Sequence, residues 1–131
     1  MKRILIVDDE PHVRRVLQLS LERAGYAVTM EFDGQAGLDR ALADPPDALV
    51  SDINMPRMTG REMVKALHAA LPSREFPILV MTSLPAREER VWVNAIPGVE
   101  FLEKPLSPRA LVARLARHFE ARERAGAPAN A

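Results

Sequence analysis

The chain has 131 residues, 47% hydrophobic and 27% charged, with 18 basic and 18 acidic side chains that leave no formal net charge. That length suits one domain with a single substantial core, and the charge balance advertises neither a nucleic-acid surface nor an anionic-membrane surface. With no cysteine, disulfides, thiolate metal sites and cysteine nucleophiles are excluded, and a reducing compartment fits.

The start, "MKRILIVDDE", has too short an apolar run for a signal peptide or a membrane span, which points to a cytoplasmic protein. "RILIV" (3–7) reads as a strand buried on both faces. Pro11 opens a first helix, with Val13, Val16, Leu17, Leu21 and Ala24 at helical spacing and Gly25 closing it. "AVTM" (27–30) is a short second strand, and residues 33–43 form a second helix opened by Asp33. Pro45-Pro46 breaks the chain before a third strand, "DALVS" (47–51). Residues 59–70 make a third helix, 76–82 a fourth strand, 85–96 a fourth helix and 99–103 a fifth strand. A last helix covers 107–124, with Ser107 as N-cap and Pro108 in its first turn.

Five strand–helix units in alternation require right-handed crossovers and a parallel sheet covered on both faces. The expected fold is therefore α/β, a flavodoxin-like doubly wound (βα)5 domain with strand order 2-1-3-4-5. The domain is expected over residues 1–124, with 125–131 a flexible tail. No second domain or repeat is visible.

In such a sheet, sites form at the carboxyl ends of the strands, near the point where strand order reverses. Asp8 and Asp9 follow the first strand, Asp52 the third, Thr82 the fourth and Lys104 the fifth. Each alone is ordinary: a loop acid, a cap, a strand-end threonine, a "KP" turn. Their convergence on one edge is not. Three carboxylates on adjacent loops repel one another unless a cation compensates, and Mg²⁺ is usually held by one or two carboxylates with waters and phosphate oxygens. A carboxylate left over can attack phosphorus. Asp52 is the expected nucleophile, with Lys104 and Thr82 placed to meet phosphoryl oxygens.

The remaining polar and aromatic features read more plainly. His12, His68 and His118 are far apart on helix surfaces and are expected to be solvated, as is the Arg-rich last helix. Met55, Met58, Met63 and Met81 are expected to pack in the core. "VWV" around Trp92 cannot all face the core from one helix. Either that helix is deeply buried or one side chain faces a partner.

At this point the residues resemble a known family. "ILIVDDE", "DINMPRMTG", "VMTS" and "FLEKP" occur in the order and spacing of the receiver (CheY-like) domain of two-component response regulators, and the resemblance runs from Lys2 to about Arg122. It implies Asp52 as phosphoacceptor, Asp9 as direct Mg²⁺ ligand, Asp8 as holder of metal-bound water and Asn54 as a ligand through its backbone carbonyl. It implies Thr82 as the switch hydroxyl, Lys104 as the phosphoryl partner and Phe101 as the aromatic switch. The phosphodonor would be a sensor histidine kinase or a histidine phosphotransfer protein.

Phosphorylation would then change the face made by the fourth helix, fifth strand and fifth helix, to bind a downstream protein or a second copy. No direct nucleic-acid or membrane partner is implied, and the protein would be a signalling receiver rather than an enzyme acting on other substrates. The chain departs from the family pattern at "IPG" (96–98), where Pro97 should end the fourth helix early, and at Ser83. Leu84 would limit water access and imply slow autodephosphorylation. The leading expectation is a stand-alone receiver. The alternatives are an input domain of a longer regulator, a phosphorylation-independent docking module and an aspartate-nucleophile phosphohydrolase. The last is disfavoured because Asp52 follows the third strand and pairs with Asn54.

Overall fold

The structure, a computed structural model, describes residues 1–82, 87–104 and 107–126. Strands β1 (Arg3–Val7), β2 (Ala27–Glu31), β3 (Ala48–Asp52), β4 (Ile78–Thr82) and β5 (Val99–Glu103) alternate with helices α1 (Pro11–Arg23), α2 (Gly34–Ala43), α3 (Gly60–Ala70), α4 (Arg87–Ala95) and α5 (Pro108–Gly126). All strand pairs are parallel, in the order β2-β1-β3-β4-β5, as the alternation requires. No described helix is long and apolar enough to cross a membrane.

The period-two alternation of the central strands splits the core into two layers. Leu5, Val7, Leu49, Ile78 and Val80 point to one face, where Leu38, Met63, Leu67 and Trp92 cover them from α2, α3 and α4. Ile4, Ile6, Val50, Leu79 and Met81 point to the other, under Leu17 and Leu21 of α1 and Leu111, Leu115 and Phe119 of α5. Met55, Met63 and Met81 are buried and Met58 packs partly against the core, as expected.

Local chemistry moves several boundaries. Asp47 leaves β3 because its carboxylate accepts the Arg3 backbone N–H at 2.7 Å, while Asp52 joins the strand opposite Met81. Phe76 and Pro77 precede β4: Phe76 is buried, and Pro77 has no N–H to give a ladder. Gly25, at φ 96°, supplies the left-handed residue after α1. Helix α4 ends at Ala95, two residues before Pro97, and α5 continues past 124 to Gly126. Ser83, Leu84, Pro85, Pro105 and residues 127–131 of the expected tail lie outside the described residues.

The structure settles which of the "VWV" trio faces out. The Trp92 ring is 4% exposed in the layer between α4 and the sheet, and its indole N–H donates to Glu89 Oε2 at 2.6 Å. Val91, at 61%, is the residue of the trio that faces out. Trp92→Phe deletes that hydrogen bond and leaves part of the indole's space unfilled, so it should cost about 2 kcal/mol in chemical denaturation, whereas Val91→Ser should stay within about 0.5 kcal/mol of the parent. The opposite ranking would mean that Val91, not Trp92, packs in the core.

Two histidines are not the solvated side chains expected. His68 Nδ1 accepts from Arg74 Nη1 at 2.8 Å, and His118 Nε2 meets a carboxylate oxygen of Glu100. Only His12 is exposed on its helix. The arginines of the last helix are solvated as expected at Arg109, Arg117, Arg122 and Arg124, while Arg114 is half-buried beside Glu100.

Candidate functional site

The register of the sheet brings the polar strand ends together. Val7 lies opposite Ser51, so Asp8 leaves β1 beside Asp52 at the end of β3. Asp8 donates its backbone N–H to the Glu31 carbonyl at 3.2 Å and accepts from Arg14 Nη1 on its own carbonyl at 2.7 Å. One carboxylate oxygen of each of Asp8, Asp9 and Asp52 falls within 4.8 Å of the others. Asp8 is fully buried, Asp52 is 5% exposed and Asp9 stands open to solvent.

Lys104 closes the other side. Its backbone N–H donates to the Thr82 carbonyl at 2.9 Å, and its Nζ lies 3.2 Å from Asp52 Oδ2. Thr82 is buried at the end of β4 at 4% exposure. Asn54 is exposed in the loop after β3. Phe101 is half-buried on the α4 side of β5, among Arg90, Asn94 and Glu103. Four of the expected residues, Asp8, Asp9, Thr82 and Lys104, thus gather around Asp52, with Asn54 at the rim and Phe101 one strand away.

The electrostatics are unfavourable to the bare protein. Burial pushes the Asp8 carboxyl up to about 6, helped by the negative charges of Asp52 and Asp9 and opposed by the Glu10 N–H and by Lys104. Asp8 Oδ2 is buried with no hydrogen-bond partner, while Oδ1 accepts from the Glu10 N–H at 2.9 Å. A buried polar atom without a partner is costly. Three hard oxygen donors converging on one point with one orphaned oxygen fit a divalent cation such as Mg²⁺.

The loop after Asp52 was less legible. Gly60 opens α3 against the Asp52 backbone, where an added Cβ would stand 2.2 Å from the Asp52 carbonyl oxygen. Its N–H donates to the Ile53 carbonyl at 2.8 Å. Thr59 caps α3 in a reciprocal pair with Glu62, so the helix start is fixed in place behind the acid. Arg57 adopts φ 67° and reaches Asp33 Oδ2 at 3.0 Å, while Asp33 Oδ1 caps α2. The spacing in "TGRE" (59–62) is the signal that could have found the cap. The sequence offered none for the Arg57 contact, which depends on the approach of α2 to this loop.

The family model described as the response regulator receiver domain matches residues 4–116. The chain belongs to that family. Receiver domains of this kind interact with histidine kinases and downstream targets in two-component signalling. Among curated relatives, this receiver is 40% identical over 113 residues to response regulator MprA of Mycobacterium avium, covering 86% of this chain and 49% of the relative. It is 36% identical over 114 residues to the alkaline phosphatase synthesis transcriptional regulatory protein PhoP of Bacillus subtilis, covering 87% and 47%. The chain thus spans about half the length of the curated relatives it matches. Among solved structures, it resembles chemotaxis protein CheY4 of Vibrio cholerae, with TM-score 0.81, 35% identity and coverage of 89% and 98%. A CheY-like receiver domain protein of Methanospirillum hungatei gives TM-score 0.87 at 27% identity, covering 96% and 99%.

Proposed function

We propose that this receiver accepts a phosphoryl group on Asp52 from a phosphohistidine of a sensor kinase or phosphotransfer protein. The observation that carries the reading is the buried Asp52 carboxylate held at 3.2 Å by Lys104 and crowded by two further carboxylates. Lys104 takes Oδ2, which leaves the other oxygen to attack phosphorus. The P–N bond to the donor imidazole breaks as the Asp O–P bond forms, and the imidazole leaves with its electron pair and takes up a proton.

Asp8, Asp9, Asp52 and the Asn54 carbonyl would hold Mg²⁺. When bound, the ion neutralises the carboxylates and the phosphoryl oxygens. Lys104 and the Thr82 hydroxyl would meet two of the transferred oxygens, and movement of Thr82 would free space for Phe101 to turn inward. A partner reading the α4–β5–α5 face would then sense the population shift. We take residues 1–124 as the receiver unit. A domain of this length acts alone in signalling or serves as the input of a longer regulator.

Incubation with Mg²⁺ and acetyl phosphate, followed by intact-mass measurement, tests the reading. The parent should gain one phosphate adduct that requires Mg²⁺ and is absent from Asp52→Asn. No adduct with donor in excess would replace this proposal with a phosphorylation-independent docking role.

A further inference from the structure

Asp8 is held by three of its four polar atoms. Its N–H donates to the Glu31 carbonyl at 3.2 Å, its carbonyl accepts from Arg14 Nη1 at 2.7 Å, and its Oδ1 accepts from the Glu10 N–H at 2.9 Å. The fourth, Oδ2, is buried without a partner. Asp8 follows β1, yet two of these holds lead to the turn between β2 and α2. Glu31 makes one directly, and the Arg14 guanidinium that makes the other lies over the Phe32 ring, 4.2 Å from its centroid.

Phe32 has no place in the core. It is 59% exposed, so burial does not account for its position. Its neighbours fix it nonetheless. Glu31 Oε1 pairs with Arg40 Nε at 3.2 Å, while Asp33 caps α2 through the Ala36 N–H and holds Arg57 of the loop after β3. The turn is thereby tied down on both sides of Phe32, and the ring offers Arg14 a fixed face. The quadrupole of that face attracts the guanidinium and restricts its side chain to the rotamer that reaches Asp8.

We infer that Phe32 and Arg14 are positioning residues for the metal ligands. Phe32 holds the Arg14 guanidinium, and Arg14 holds the Asp8 carbonyl, which keeps the buried Asp8 carboxylate within reach of Asp9 and Asp52. The inference rests on the Mg²⁺ reading given above and adds to it two residues that supply no metal donor. Charge alone would act in the opposite direction. Arg14 is a cation close to the site, so its removal would favour a second cation on Coulombic grounds. A loss of Mg²⁺ affinity on its removal therefore reports orientation rather than charge. Groups that orient ligands from behind in this way are worth about tenfold or more in metal affinity.

The test is an NMR titration of the metal-free, unphosphorylated chain with Mg²⁺, following the Asp9 and Glu10 amides. Arg14→Met, which keeps the apolar stem and removes the donors, should raise the Kd for Mg²⁺ about tenfold. Phe32→Leu should raise it about threefold, and Phe32→Trp, which keeps an aromatic face, should restore the parent value. The metal-free Tm of Phe32→Leu should stay within about 3 °C of the parent, which separates a loss of affinity from a loss of fold. Equal Mg²⁺ affinity in the parent and Phe32→Leu, or tighter binding in Arg14→Met, would overturn the inference and leave the Mg²⁺ reading standing. A parent that binds no Mg²⁺ would overturn both.

Discussion

Gly60→Ala should damage the receiver far more than its single methyl group suggests. The added Cβ would stand 2.2 Å from the Asp52 carbonyl oxygen and 2.9 Å from the Ile53 Cα. Both obstacles are backbone, so no side-chain rotation relieves them. The start of α3 must move away or the end of β3 must bend, and the first choice strains the Gly60 N–H bond to Ile53 and the Thr59 cap. Overpacking of this kind costs about 3 kcal/mol, which for a domain of this size lowers Tm by roughly 10 °C.

The second consequence is chemical. The backbone being pushed belongs to the residue proposed as nucleophile, and small misplacements of a reacting group can cost about a hundredfold in rate. Labelling by acetyl phosphate, measured well below the melting transition, should therefore slow by at least about tenfold. Gly25→Ala is the contrast. There the φ of 96° penalises alanine, but nothing lies within 4 Å of the added Cβ. It should cost about 1 kcal/mol and leave labelling unchanged. Equal losses for the two variants would mean that the Asp52 contact is not the cause.

This asymmetry marks what a sequence can and cannot disclose. The strands were legible because apolar runs alternate with helical periodicity, and the observed order 2-1-3-4-5 is one of the two common doubly wound orders that right-handed crossovers allow. The gathering of Asp8, Asp9, Asp52, Thr82 and Lys104 followed from that order, since each lies at the carboxyl end of a strand. Gly60 carried no signal of its own within the expected third helix, because its role is a contact with a backbone atom eight residues earlier. The place of Trp92 stayed open because residue type alone does not say which of three adjacent apolar side chains a helix turns inward. Glu100 shows the same limit. A single acid in an edge strand carries no local signal of the arginine and histidine, 14 and 18 residues later, that enclose it.

Asp8 should make the metal-free receiver more stable in mild acid than this residue allows at neutral pH. Its carboxyl titrates at about 6 in the folded chain against an ordinary value of 3.8, chiefly because burial disfavours the charged form. Between those two values the folded state holds a proton that the unfolded state has released. The resulting stabilisation is fully present below about pH 3.8 and is lost as pH rises through about 6. At neutral pH the group is a net liability, since Oδ2 is then a buried negative oxygen without a partner. Asp8→Asn removes the charge and keeps an oxygen to accept from the Glu10 N–H. After allowance for solvent screening on the open side of the site, it should stabilise the metal-free protein by about 1–2 kcal/mol at pH 7.5. The advantage should shrink towards zero as pH falls to about 4, because the parent then carries its own proton. Mg²⁺ should raise the Tm of the parent more than that of the variant, since a bound cation offsets the charge that burial opposes. Thermal melts of both proteins at the two pH values, with and without Mg²⁺, separate these effects. A variant that tracks the parent at every pH would show that Asp8 does not carry the strain of the site.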